Sequence, residues 1–256
     1  MKKTYIYRYY SFGYNYYILR FSTDAWTIRK LRDEVNQFFR YLEELNLLVS
    51  KQAAESLLSI SKEITTLPSE EKVSKELSER VTNAIGELDK TLDSELMLKE
   101  AYILTEKRFS LDKLLNNIQD LFRKDVFNRL PILVQYDLKE CGKCIAFNLS
   151  TAAAFHMLRA TEGTLRFYYC IIIKRKRIKD LMWGPIIEKL RVNSKISRTL
   201  LSNLDNIRDN YRNPTQHPDA RYDLDEAQDL FGLCIEAINR MIKDLEQKGR
   251  FKVEQR

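Results

Sequence analysis

A stripe of apolar residues, spaced three and four positions apart, is the sequence feature that most constrains the fold. It follows Trp26, and its members are Ile28, Leu31, Val35, Phe38, Leu42 and Leu45. Residues at this spacing share one face of an α-helix, which can then be buried. A similar stripe runs from about Ser69 to Met97, beside a face rich in Glu and Lys. The pattern fits core packing or a coiled coil, and both require amphipathic helices.

The scarcity of helix-breaking residues supports the same fold class. The 256 residues include only 7 Gly and 5 Pro, with 44% hydrophobic and 31% charged residues. Disordered chains are poorer in apolar residues, and β-sandwiches need more turn residues. We therefore predict a mainly α protein, with one large domain or two small ones.

The N-terminal segment has a different composition, dense in aromatic and β-branched residues. Two such runs, Thr4 to Tyr10 and Tyr14 to Phe21, flank Ser11-Phe12-Gly13, which has turn character. High β-propensity on both sides of a turn predicts a small β-hairpin. The apolar stretch from Ala101 to Thr105 could add a third strand. The aromatic rings could pack on helices or stack on RNA bases.

Helix-start signals divide the second half of the chain into about five helices. Pro131 can occupy the first turn of one helix, and Ser150 or Thr151 can cap the next. Asp223 and Glu226 have capping-box spacing at the start of the last helix, which should reach about Gln247. We predict two regions. Residues 1–125 form the hairpin with helices, and residues 126–256 form a helical bundle.

The net charge of +7 and the pI of about 9.1 would favour a polyanionic partner. An evenly spread surplus of cations would instead serve solubility. The densest basic run begins with Lys174, Arg175, Lys176 and Arg177. This run fits either a solvated loop or a track for RNA phosphates.

The cysteines and the chain start indicate cytoplasmic localisation. Cys141 and Cys144 form a C-x-x-C pair without a second pair of soft ligands, so buried thiols in a reducing compartment are favoured over a zinc site. Met1 is followed by charged residues and tyrosines, not by the apolar core of a signal peptide. No apolar run reaches the length of a membrane span. We therefore expect neither a cofactor, nor a metal, nor a membrane partner.

Arg212 and His217 form the candidate catalytic pair. Pro214 and Pro218 should end a helix near Tyr211 and stiffen the loop that holds both side chains. RNA carries its own nucleophile, the 2′-OH. A neutral imidazole can take its proton, and a guanidinium can stabilise the charge on the phosphorane. This chemistry needs no metal ion. Alternatively, the two residues could simply cap the helix end and bridge the loop.

The stretches Ala152 to Glu162 and Arg212-Asn213-Pro214-Thr215-Gln216-His217 resemble the HEPN (higher eukaryotes and prokaryotes nucleotide-binding) superfamily. The resemblance covers Pro131 to Met241, under half of the chain. It implies a HEPN-like helical bundle that dimerises, with Arg212 and His217 of two protomers meeting in a composite cleft. Asn213 would be an auxiliary polar group of that cleft. Many members are metal-independent ribonucleases of toxin–antitoxin and antiviral defence systems, and others are catalytically silent.

Three further polar residues lie on one face of the predicted helix after Ser150, at three-residue steps: His156, Arg159 and Glu162. They could form a network in the core or at a dimer face. They could also contact phosphate or orient His217, with Glu162 holding Arg212 in a forked ion pair.

The leading hypothesis from the sequence is a metal-independent endoribonuclease. It would act as a homodimeric effector in a prokaryotic defence or toxin system, with an antitoxin or defence partner protein. The alternative is a non-catalytic helical module that binds a protein partner or nucleic acid.

Overall fold

The structure of the chain, a computed structural model, describes residues 4–21, 23–174 and 182–251. The described residues are mainly helical and include no β-strand, although Thr27 and Lys72 form one isolated β-bridge. The prediction of a mainly α protein is confirmed. The chain separates into two compact units, Met1–Tyr102 and Ile103–Arg256.

In residues 4–21 and 23–102, the described part of the N-terminal unit, there are six α-helices: α1 (Ile6–Phe21), α2 (Ile28–Glu44), α3 (Leu48–Ala53), α4 (Glu55–Ile64), α5 (Lys75–Glu87) and α6 (Asp89–Met97). The side chain of Thr27 caps the N-terminus of α2. The predicted stripe of α2 faces inward, since Leu31, Val35 and Phe38 are all buried. These residues form one hydrophobic core together with buried residues of the other helices.

The predicted N-terminal β-hairpin is wrong, because residues 6–21 form the single helix α1. Its buried residues, Phe12, Asn15 and Leu19, have the three-and-four spacing of a helix face. The Asn15 amide donates to the Glu34 backbone carbonyl (3.2 Å) and carboxylate (2.8 Å). Packing against α2 therefore overrides the β-propensity of the tyrosines.

Two neighbouring predictions also need correction. The single helix expected from Ser69 to Met97 is two helices, α5 and α6, and α5 begins only after its cap Ser74. The segment from Ala101 to Thr105 forms no strand, and its side chains are mostly exposed.

The C-terminal unit contains seven α-helices among its described residues: α7 (Leu111–Leu115), α8 (Ile132–Ala146), α9 (Ser150–Ile172), α10 (Trp183–Arg191), α11 (Arg198–Ile207), α12 (Asn213–Thr215) and α13 (Leu224–Gln247). A π-helical turn, Arg208–Arg212, joins α11 to α12. The capping box predicted at Asp223 and Glu226 is present at the start of α13. The C-terminal unit is thus a helical bundle.

The sequence-based division near residue 125 differs from the observed one. Leu114, Ile118 and Phe122 belong to the core of the C-terminal unit. This core also contains buried residues of α8, α9 and α13. The segment before Pro131 therefore packs with the bundle, which the periodicity of so short a stretch does not reveal.

Helix α9 positions the candidate site, because it packs against α8, α10 and α13. Ala153, Ala154 and Ala160 are buried along it, and such small side chains let helices approach closely. No helix in the described part of the chain combines the length and apolar character needed to cross a membrane.

Candidate functional site

The segment that carries Arg212 is a continuous helical run, not the loop predicted from Pro214. Helix α11 passes into the π-helical turn, which is followed directly by α12, with Pro214 in its first turn. A proline ring collides with the carbonyl four residues earlier in a regular α-helix, and the wider π-turn relieves this crowding. The helical run therefore ends at Thr215, with Gln216 as its C-cap, and not at Tyr211. π-Helical turns frequently occur at functional sites.

Hydrogen bonds attach this helical run to the rest of the bundle. The hydroxyl of buried Thr215 donates to the Tyr211 carbonyl (2.6 Å) and lies 2.6 Å from the Tyr222 hydroxyl. The backbone N–H of Tyr222 donates to the Thr151 hydroxyl at the start of α9 (3.2 Å). The position of Arg212 is thus tied to α9 through its own neighbours.

Arg212 is only partly exposed, with 21% of its side chain accessible to solvent. Its Nη2 lies 3.6 Å from Oε2 of Glu162, which is within ion-pair range but too long for a hydrogen bond. The other oxygen of Glu162 accepts from Nε and Nη2 of Arg166. The expected pairing of Glu162 with Arg212 is therefore present as a single contact and not as a fork. Arg212 keeps donors for another ligand.

A cavity of about 410 Å³ opens at this point, and we call it the Arg212 cavity. One wall, the α9 wall, consists of Phe155, His156, Leu158, Arg159 and Glu162. The opposite wall, the π-helical wall, consists of Arg212, Thr215 and Gln216. Three of the residues proposed to surround the catalytic pair, His156, Arg159 and Glu162, thus share one cavity with Arg212.

Asp137 on α8 organises the α9 wall, and sequence reasoning missed it. Its Oδ1 lies 3.1 Å from Nδ1 of His156, and its Oδ2 accepts from Nε of Arg159 at 2.7 Å. A second hydrogen bond joins Arg159 Nη2 to Oδ1, so the guanidinium and the carboxylate form a bidentate pair. Only 2% of the Asp137 side chain is exposed. The available signal was a carboxylate inside the apolar stripe of α8, between Val134 and Cys141.

The arrangement keeps positive charge beside the cavity. The hydrogen bonds to Asp137 raise the pKa of the Arg159 guanidinium, so this side chain stays protonated. More than half of the Arg159 side chain is exposed, although its nitrogens bind a buried carboxylate. An anion that enters the cavity would meet the guanidinium groups of Arg159 and Arg212, together with the carboxylate of Glu162.

The other half of the predicted pair, His217, lies at the end of the same helical run and is exposed. Its backbone N–H donates to the Pro214 carbonyl (2.9 Å), and it directly follows Gln216 of the π-helical wall. Asn213 is also exposed. Arg212 thus lies on the cavity wall. His217 is not part of the cavity lining and directly follows Gln216, the last residue of the π-helical wall.

Of the predicted basic track, only the first residue belongs to the described part of the chain. Lys174 follows α9, is exposed and has a positive φ of 57°. Arg175, Lys176 and Arg177 lie outside the described residues.

The cysteines of the C-x-x-C pair occupy unlike environments. Cys141 is fully buried and its thiol donates to the Ala153 carbonyl, whereas Cys144 is partly exposed. Burial raises the pKa of the Cys141 thiol and raises the pKa of the Cys234 thiol to about 12. Within residues 4–21, 23–174 and 182–251, no group of three or more His, Cys, Asp or Glu side chains could hold a metal ion.

Comparison of the chain with family models, with curated protein sequences and with solved structures gives no match.

Proposed function

We propose that the C-terminal unit is a metal-independent endoribonuclease. The observation that carries this proposal is the placement of the Arg212 guanidinium on the wall of an open cavity that also contains Arg159 and His156. Cations facing such a space suit the charge of a phosphodiester, and a cleaved phosphodiester gains further negative charge in the transition state. The HEPN-like motif around Arg212 and His217 supports the same chemistry.

In the proposed reaction the 2′-OH of RNA attacks the neighbouring phosphorus. His217 removes the proton from the 2′-OH, and Arg212 stabilises the charge on the phosphorane oxygens. Asn213 would add a polar contact. The bond to the 5′ oxygen then breaks, which leaves a 2′,3′-cyclic phosphate and a 5′-OH. The nucleophile belongs to the substrate, so the reaction needs no metal-bound water.

The resemblance to HEPN domains extends the proposal to the cellular setting. The chain would act in the cytoplasm, in a prokaryotic defence or toxin system, and an antitoxin or another partner protein would restrain it. A homodimer would bring the exposed His217 of one copy towards Arg212 of the other. The exposure of His217 leaves its ring accessible for this arrangement.

The direct test incubates the purified full chain with a mixed RNA pool in the presence of EDTA. We expect fragments that end in a 2′,3′-cyclic phosphate, and we expect both His217→Ala and Arg212→Ala to abolish them. Cleavage that survives His217→Ala would remove this residue from the mechanism. RNA that stays intact at every protein concentration would contradict the proposed nuclease function.

A second candidate function is a non-catalytic module that binds nucleic acid or a protein. The observation that favours it lies in α1, where Tyr7, Tyr10, Tyr14 and Tyr17 are all more than half exposed. Their spacing places them along one side of the helix, where rings could stack on bases or pack on a partner. This function predicts salt-sensitive RNA binding or a defined protein complex, with no cleavage.

A further inference from the structure

His156 is the one histidine whose imidazole lines the Arg212 cavity. About a quarter of its side chain is exposed, and its Nδ1 faces the buried carboxylate of Asp137. Helix α9 fixes the backbone on one side of the ring, and α8 supplies the carboxylate on the other. Asp137 therefore holds the ring at Nδ1, and the other ring nitrogen, Nε2, is available to contact a ligand.

The hydrogen-bonding partners of Asp137 decide which nitrogen of His156 carries a proton. The Asp137 carboxylate, in its bidentate pair with Arg159, can only accept hydrogen bonds. Nδ1 of His156 must therefore be the donor to Asp137. A neutral His156 then presents a bare Nε2, and a protonated His156 presents an Nε2–H donor.

The proposed cleavage has a step that no group has yet been assigned to perform. The 5′ oxygen is an alkoxide when its bond to phosphorus breaks, and an alkoxide is a poor leaving group unless it receives a proton. Arg159 and Arg212 cannot supply this proton, because a guanidinium does not release one near neutral pH. Both oxygens of Glu162 are engaged by guanidinium groups, Oε1 by Arg166 and Oε2 by Arg212, so we do not assign this step to Glu162.

We propose that His156 is the general acid of the Arg212 cavity and that Asp137 is its positioning residue; this inference rests on the proposed nuclease function. As O2′ bonds to phosphorus, His217 takes the 2′-OH proton. The P–O5′ bond breaks, its electron pair stays on O5′, and O5′ takes the proton from Nε2 of His156. Water then returns a proton to His156 and removes one from His217. No oxidant, reductant or metal ion takes part.

The test compares two leaving groups at one cleavage site mapped with wild-type protein. One substrate is an oligoribonucleotide, and the other is the same molecule with sulfur in place of the scissile 5′ oxygen. A thiolate leaves without protonation. We expect the His156→Ala variant to cleave the natural substrate about 10²–10⁴-fold more slowly than the wild type. The same variant should cleave the sulfur substrate at nearly the wild-type rate. His217→Ala should slow both substrates, because each still needs its 2′-OH proton removed.

The outcomes separate the two proposals. If the wild-type protein cuts no RNA, the proposed function fails and the acid role fails with it. If His156→Ala cleaves the natural substrate at the wild-type rate, or if its cleavage of both substrates is slowed by the same factor, only the acid role is overturned. Thermal denaturation of each variant identifies any loss that comes from unfolding.

A second measurement tests the positioning role of Asp137 without any substrate. The chain has only two histidines, so long-range ¹H–¹⁵N spectra of His217→Ala report His156 alone. We expect the Nδ1–H tautomer in the protein with native Asp137, and a shift towards the Nε2–H tautomer in Asp137→Leu. An Nε2–H tautomer beside native Asp137 would contradict the proposed geometry.

Discussion

The two walls of the Arg212 cavity are built differently. On the α9 wall, His156 and Arg159 are both bound to a buried carboxylate and carried by a long helix in the centre of the bundle. The π-helical wall presents Arg212 from an irregular turn, and the exposed His217 follows where the helical run ends. The first wall is fixed by packing and the second by a few hydrogen bonds. The cavity thus combines a preorganised face with one that is held by fewer contacts.

The largest expected effect concerns the less constrained wall. Under the proposed mechanism, His217→Ala should lower the rate of RNA cleavage by about 10²–10⁴-fold, because the proposed general base is lost. Its thermal stability should stay close to that of the wild type, since the side chain is exposed. The matched control is Asp219→Ala, an exposed residue two positions later. An equal loss of activity in both variants would mean that the loop, and not the imidazole, matters.

Arg212→Lys should lower the cleavage rate by about 10²–10³-fold with little change in folding. Lysine keeps the charge but replaces the planar fork of donors with a single ammonium group. The control is Arg221→Lys, because Arg221 is exposed and does not line the Arg212 cavity. Full activity in Arg212→Lys would show that charge alone suffices at this wall.

Helix α8, which supplies Asp137 to the α9 wall, can be tested through stability. A Cβ at Gly142 on α8 would collide with the Leu114 carbonyl oxygen and lie 2.9 Å from Ile118 Cδ1. We expect Gly142→Ala to lower the free energy of unfolding by about 1–3 kcal/mol in chemical denaturation. The control is Gly232→Ala on α13, where a Cβ meets nothing within 4 Å. Alanine should stabilise that helix by about 0.5–1 kcal/mol, and the opposite order of the two variants would refute this account of the packing.

The smallest expected effect lies in the attachment of the π-helical wall. Tyr222→Phe removes the hydroxyl that bonds to Thr215 and to the Tyr211 carbonyl. We expect a loss of about 0.5–1.5 kcal/mol of stability, the usual value of one hydrogen bond. Tyr14→Phe, at an exposed position of α1, is the control and should be neutral within error. A neutral Tyr222→Phe would show that other contacts hold the wall.

The sequence predicts the parts of this architecture that depend on local patterns. The apolar stripe of α2 and the capping box of α13 are both observed, because helix periodicity and capping are encoded within a few residues. The aromatic N-terminus was misread, since the burial of Asn15 against Glu34 is decided by a distant helix. Asp137 was missed for the same reason: only the fold brings α8 beside His156 and Arg159.

The π-helical turn also sets how far the chain can be shortened before Arg212 changes direction. Such a turn holds one more residue than a turn of regular α-helix, so removal of an exposed residue such as Asn210 would let it close as an α-helix while α12 keeps facing the same way. A second deletion would find no extra residue to absorb it, and everything up to the end of α12 would be rotated by about 100° around the helix axis. Arg212 would then project away from α9 with its chemistry intact, so the loss of two residues between Arg208 and Arg212 should be tolerated far less well than the loss of one.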